Sequence, residues 1–116
     1  MQFTPGTHVL LDLYAAQFLD DLDVVRRALL TAAHVVNATV LEHKFHVFDE
    51  GGGITGIVLL KESHISIHTW PETSFAAVDI FLCGGLSPDP AITVIEAAFQ
   101  ASHSEISKIR RGRNDQ

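Results

Sequence analysis

Eleven consecutive residues, Glu62-Ser63-His64-Ile65-Ser66-Ile67-His68-Thr69-Trp70-Pro71-Glu72, hold two histidines, two serines and two carboxylates. The only cysteine, Cys83, follows eleven residues later. Such a set offers three kinds of use. Ser63 as nucleophile, a histidine as base and Cys83 as acid or second nucleophile would suit nucleophilic chemistry. A serine-hydrolase elbow needs small residues beside its serine, however, and Glu62 and His64 are not small. A metal site would combine His43 and His46 with His64, His68 or Cys83, since imidazole and thiolate suit zinc, but histidines two or three apart carry no spacing specific to a metal. The same residues also have plain structural uses, as hydrogen-bonded histidines, a serine at a strand end and a small buried thiol. Taken singly, none of them decides between the three.

The elements that position these groups are read from periodicity. Residues 8–14 alternate around Val9, Leu11 and Leu13, as a strand does, with Leu10 on the other face. From Asp20 the apolar step changes to three and four through Leu22, Val25, Leu29, Ala32 and Val36, which predicts a helix ending near Asn37, with Asp20, Asp21 and Asp23 at its favourable end. Residues 39–48 and 53–60 read as two strands of a hairpin around a glycine turn. Residues 64–69 and 75–82 read as strands parted by Pro71. Ser87-Pro88-Asp89-Pro90 marks a second helix start, with Ile92, Ile95 and Phe99 as its stripe, and Ile106 and Ile109 suggest a last short strand. On a strand His64, Ser66 and His68 share one face, and Ser63 does not unless the chain bends.

The order β-α-β-β, β-β-α-β gives two helices against six strands, an α+β two-layer sandwich with a mostly antiparallel sheet and both helices on one face. Its other face stays open. The runs VLLDLY, GIVLL and VDIFL suggest that this face is apolar, so a second copy packed on it, a homodimer, is expected.

The 116 residues allow a single domain, and 47% hydrophobic residues suffice for a core of that size. Fourteen acidic against eight basic residues, a formal charge of −6, repel phosphate backbones and argue against a nucleic-acid partner. The basic stretch Lys108, Arg110, Arg111 and Arg113 reads as a solvated chain end. One unpaired cysteine suits a reducing compartment; with neither a membrane span nor a basic leader in residues 1–7, a cytoplasmic protein is expected.

The run KESHISIHTWPE at 61–72, followed by AAVDIFLCGG at 76–85, closely resembles the prokaryotic S-adenosylmethionine decarboxylases, which use a covalently bound pyruvoyl group. The likeness extends to GTHVLLDLY at 6–14, FHVF at 45–48 and GITG at 53–56. It implies that the chain cuts itself between Glu62 and Ser63. The Ser63 hydroxyl would attack the Glu62 carbonyl and turn the amide into an ester. His68 would remove the Cα proton of residue 63, and elimination followed by hydrolysis would leave residues 1–62 and a pyruvoyl-capped 63–116. It further implies a Schiff base with the substrate amine, Cys83 as proton donor after CO2 leaves, substrate contacts from Phe48, Ile65 and Glu72, no metal, a homodimer of cleaved protomers, and a product that donates the aminopropyl group for spermidine.

Leu82, Thr73 and Ser74 depart from the family's usual residues, and Asp49 and Glu50 make the hairpin turn acidic. An acidic turn raises a second reading, a pyruvoyl-dependent decarboxylase of arginine or ornithine; a third is an unprocessed, non-catalytic partner subunit. Finally, positions 63 and 68 differ by an odd number, so a regular strand would aim them oppositely. The assigned roles need them close, and strand geometry is therefore expected to break between Leu60 and His64.

Overall fold

Six strands occur among the described residues: β1 (Gly6–Tyr14), β2 (Val40–Val47), β3 (Ile54–Leu60), β4 (Ser63–Trp70), β5 (Phe75–Cys83) and β6 (His103–Arg111); alternation that buries one face marks β1, β3, β4 and β5, whereas the edge strands β2 and β6 are almost wholly exposed. Helix α1 (Leu22–Val35) lies between β1 and β2, and α2 (Asp89–Phe99) between β5 and β6. The computed structural model describes residues 5–49 and 51–112. Glu50 of the acidic turn and Arg113 of the basic stretch lie outside the described residues.

All six strands join one antiparallel sheet in the order β2-β3-β4-β5-β1-β6. β1 thus sits between β5 and β6, and the strand carrying most of the reactive residues, β4, is held on both sides by β3 and β5. Asp21 caps α1 by accepting the N–H of Val24 at 3.1 Å, which satisfies an amide that the first turn leaves without a helical partner. The second helix starts one residue later than its SPDP signal suggests: Pro88 is the cap residue, and Ser87 accepts the Asp89 N–H from just outside.

Both helices cover one face. Val9, Leu11 and Leu13 of β1, Ile65 and Ile67 of β4, and Val78, Ile80 and Leu82 of β5 are buried there with Val25, Leu29, Ile95 and Phe99 of the helices. The α+β two-layer architecture read from the sequence is the one observed. The open face is less uniformly apolar than expected. It carries Leu10, Tyr14, Ile57, Leu59 and Trp70, but also His8, Asp12, His64, His68 and Asp79. Ile106 and Ile109 of β6 lie three residues apart, so they point to opposite faces, and both are exposed. Among the described residues no helix is long and apolar enough to cross a membrane.

One buried polar side chain ties the hairpin strands to the chain entering α1. Thr69, 6% exposed, accepts the N–H of Ile54 through Oγ1 at 2.8 Å and donates to the carbonyl of Leu19 at 2.8 Å. Thr69→Val keeps the shape and strands both partners in the core. It is expected to lower unfolding stability by about 1–3 kcal/mol in urea titration with little change in slope; an unchanged midpoint would show that neither bond contributes.

Candidate active site

β3 and β4 are joined by Lys61 and Glu62 alone, so the chain reverses within two residues. Ser63, the first residue of β4, takes φ 131°. A side-chain-bearing residue meets steric strain at such a φ, and it persists only where neighbours enforce it. They are present. The Lys61 N–H donates to the Thr39 carbonyl at 2.9 Å, the Glu62 carboxylate accepts the Thr39 N–H at 2.9 Å, and the Glu62 carbonyl accepts the N–H of Cys83 at 3.0 Å. The expected break between Leu60 and His64 is this turn.

Cys83 closes β5 opposite Gly6 of β1. A Cβ at Gly6 would stand 2.2 Å from the Leu82 carbonyl oxygen, so only glycine lets β1 lie this close beside the cysteine. Cys83 is a partly buried free thiol. By alternation along β5 it shares the open face with Phe81 and Asp79, next to the turn that holds Glu62 and Ser63.

The remaining assigned residues gather at the other end of β4. A cavity of about 420 Å³ is lined by Phe48, Gly53, Thr55, His68, Thr69, Trp70 and Glu72. Thr55 and His68 face each other in register, with Thr55 Oγ1 3.2 Å from His68 Nδ1. Sequence reasoning missed Thr55, although it lies in the GITG run. Phe48 and Glu72 thus line one cavity with His68, whereas Ser63 and His68 lie five residues apart on one strand, ~16 Å at the usual rise. Both residues belong to β4, with Ser63 in register with buried Leu82, so within one copy the turn removes neither the odd spacing nor this separation; only the unusual φ of Ser63 departs from regular strand geometry.

One further expectation and one weighed alternative conflict with the geometry. Ile65 is fully buried on the helix-facing side of β4, between Val58 and Ile80, so its side chain cannot touch a substrate on the open face. The metal reading also fails: His43 lies beside Phe45 and His46 beside Phe48 on edge strand β2, three residues apart and so on opposite faces.

A different group converges instead, which joins His64 to Asp79, His8, Ser66 and Arg111, residues to which the sequence reading gave no chemical role. Asp79 of β5 lies opposite Ser66 of β4. Its Oδ1 accepts the Ser66 hydroxyl, and its Oδ2 is 2.7 Å from His8 Nε2 and 2.8 Å from His64 Nε2. Arg111 of β6 donates to His8 Nδ1 at 3.0 Å and lies over the Phe81 ring, 5.6 Å from its centre. Because a guanidinium only donates, the Nδ1 of His8 accepts, and its Nε2 carries the proton that bonds Asp79. The ligand atoms of His8, His64 and Asp79 lie within 4.8 Å of one another, near enough for a cation, but this proton pattern already occupies them. Burial alone would raise the Asp79 pKa; hydrogen bonds from Ser66, His8 and His64, with the nearby His64 charge, outweigh it and hold the carboxyl below its ordinary 3.8. The signal for the group was present in alternation: an aspartate at an outward position of VDIF, and His64 and Ser66 two apart.

A family described as S-adenosylmethionine decarboxylase matches residues 7–112. The chain belongs to the S-adenosylmethionine decarboxylase family. It is 39% identical over 108 residues to an S-adenosylmethionine decarboxylase proenzyme of Thermomicrobium roseum, covering 92% of this chain and 93% of the relative. To a proenzyme of the same name from Thermodesulfovibrio yellowstonii it is 43% identical over 110 residues, covering 92% and 81%. The crystal structure of the adenosylmethionine decarboxylase from Aquifex aeolicus superposes with a TM-score of 0.86 at 34% identity, over 97% of this chain and 95% of that one. The family match runs from β1 to β6, so it takes in the turn at Ser63, the cavity at Glu72 and the group around Asp79.

A carboxyl whose pKa is depressed on folding stabilises the fold above its unfolded pKa, and that stability is lost as pH falls through the folded value. The stability gap between wild type and Asp79→Asn is therefore expected to be full at pH 6 and to shrink below about pH 4. A gap that persists undiminished to pH 2.5 would show that the Asp79 charge is not its source.

Proposed function

We propose that this chain decarboxylates S-adenosylmethionine after cutting itself between Glu62 and Ser63. The observation that carries the cut is the turn: a strained Ser63 at φ 131° follows a Glu62 carbonyl that accepts the Cys83 N–H at 3.0 Å. That N–H polarises the carbonyl toward attack by the Ser63 hydroxyl and stabilises the negative oxygen as it forms. Breaking the peptide link frees residue 63 from its strained φ. The cut falls between two strands, so β3 and β4 keep their pairing to each other and β4 keeps β5. The name "proenzyme" carried by the relatives agrees with processing.

His68 is the base for the proton at Cα of residue 63, and it acts on a second copy. Within one copy the two residues sit at opposite ends of β4, but a homodimer packed through the open sheet face removes the conflict. In a two-fold dimer, if residue i of one copy meets j of the other, j also meets i. An axis lying between the two open faces, perpendicular to β4 and level with Ser66, midway between them, brings each Ser63 end over the other copy's His68. The same axis brings the cavity of Phe48, Thr55 and Glu72 to the thiol of Cys83, so each active site consists of two halves.

The pyruvoyl group left at position 63 supplies a ketone to hold the substrate α-amine and a carbonyl to draw electrons as CO2 departs. Cys83 returns a proton to the carbon that lost CO2. Glu72 accepts hydrogen bonds from the ribose hydroxyls, and Phe48 offers its π face to the cationic sulfur. With relatives named for S-adenosylmethionine and the nucleoside residues gathered in one cavity, a basic amino acid is not favoured as substrate.

Ser63→Ala is expected to remain one chain of 12.7 kDa while wild type separates into two; an intact wild type after long incubation at neutral pH would sink the proposal. Ser63→Ala and His68→Ala should each stay intact alone. Co-expressed, they should yield cleaved chains that bear the His68→Ala change, because Ser63 of that chain meets His68 of the other. Absence of such cleavage in a verified mixed dimer would return His68 to its own chain. Glu72→Gln should lower kcat/KM for S-adenosylmethionine ten- to a hundredfold without slowing self-cleavage; undiminished kcat/KM would remove the ribose role.

A further inference from the structure

One necessary step of the decarboxylation has no residue assigned to it. The substrate amine is a cation near neutral pH, and an ammonium has no lone pair with which to attack a ketone. Among the described residues of this chain, one protonatable side chain besides Cys83 flanks residue 63 on the open face. Ser63 pairs with Leu82, and His64 with Phe81. Cys83 and His64 therefore stand on either side of residue 63, both toward the open face by strand alternation.

The ring of His64 is held and is still reachable. Its Nε2 lies 2.8 Å from Asp79 Oδ2. It meets Phe81 edge-on at 6.1 Å and His8 at 5.9 Å between ring centres, and its side chain keeps 31% exposure. An ionised carboxylate only accepts, so the shared contact fixes the Nε2–H form of His64 and leaves the Nδ1 lone pair unprotonated. Arg111 fixes His8 in the same form from the far side, and Ser66 occupies the other oxygen of Asp79. The carboxylate cannot turn away without losing three donors.

We infer that His64 is the base that deprotonates the substrate α-ammonium, and that Asp79 is its positioning residue. This inference rests on the decarboxylase reading above. His64 Nδ1 takes a proton from the ammonium, and the freed nitrogen lone pair forms a bond to the ketone carbon at position 63. The carbon–oxygen bond breaks as the oxygen leaves in water. Both protons of that water come from the ammonium, the first carried by His64, and the imidazole ends neutral, as it began. Such positioned proton transfer is worth about a hundredfold or more in rate, and a carboxylate behind an imidazole sets tautomer and ring orientation as in other His–Asp pairs.

Two measurements test the inference. In the 15N-labelled Ser63→Ala chain, which needs no cleavage, His64 in its neutral form should show a protonated Nε2 and an unprotonated Nδ1. Asp79→Ala in that background should mix the two forms, and Asp79→Glu should restore the first. In cleaved protein, S-adenosylmethionine is trapped on fragment 63–116 with cyanoborohydride and followed by mass; His64→Gln should slow trapping about a hundredfold or more. Trapping within threefold of wild type overturns the role of His64. Should His64→Gln remain uncleaved, the tautomer decides, and a proton on Nδ1 overturns the inference. Wild type that cleaves but traps no substrate sinks the decarboxylase reading itself, and this inference with it.

Discussion

The register of β4 on β5 is the constraint on which the rest depends. With Ser63 opposite Leu82, Ser66 opposite Asp79 and Trp70 opposite Phe75, one ladder sets three things at once. It brings the Cys83 N–H to the Glu62 carbonyl, it places Asp79 under His64 and Ser66, and it holds His68 five residues from Ser63. A slip of β4 by one residue would turn Ile65 and Ile67 out of the core they share with Val78 and Ile80. The burial of these side chains therefore fixes the geometry of the chemistry on the other face, though none of them takes part in it.

The sheet separates two kinds of interaction. Toward the helices, side chains are apolar and buried, and the one buried polar exception among the described residues, Thr69, has both of its hydrogen bonds met by backbone. Toward the open face, a partly buried carboxylate is stabilised by three donors and keeps its charge. That arrangement suits a site that moves protons. An ionised Asp79 fixes where hydrogens sit on two imidazoles, and strand pairing fixes where those imidazoles stand.

On the proposed function, a site divided between two ends of one strand would tie activity to association. Each copy carries the Lys61-Glu62 turn beside Cys83 and, ~16 Å along β4, a cavity lined by Phe48, His68 and Glu72. In the proposed dimer neither end acts alone, and the protomer concentration enters the apparent activity by mass action. The mixture of apolar and polar groups on the open face is consistent with this: Leu10, Ile57, Leu59 and Trp70 offer surface to bury, and the polar residues between them have work to do.

The sequence by itself determined the elements, their order, the two-layer architecture and the family. Those depend on local periodicity, on caps such as Asp21 and on a contiguous motif, all of which one strand or helix displays alone. It also marked Ser63, His68, Glu72, Cys83 and Phe48. What it did not determine is which of these meet. Ile65, adjacent in the motif, belongs to the core because alternation turns it inward, and His43 and His46 diverge for the same reason. Asp79, His8, Ser66 and Arg111 come from four strands up to 103 residues apart, so no local pattern joins them. Only the pairing of β4, β5, β1 and β6 does, because a hydrogen bond needs two atoms about 3 Å apart and a sequence holds no such distance until the sheet has formed.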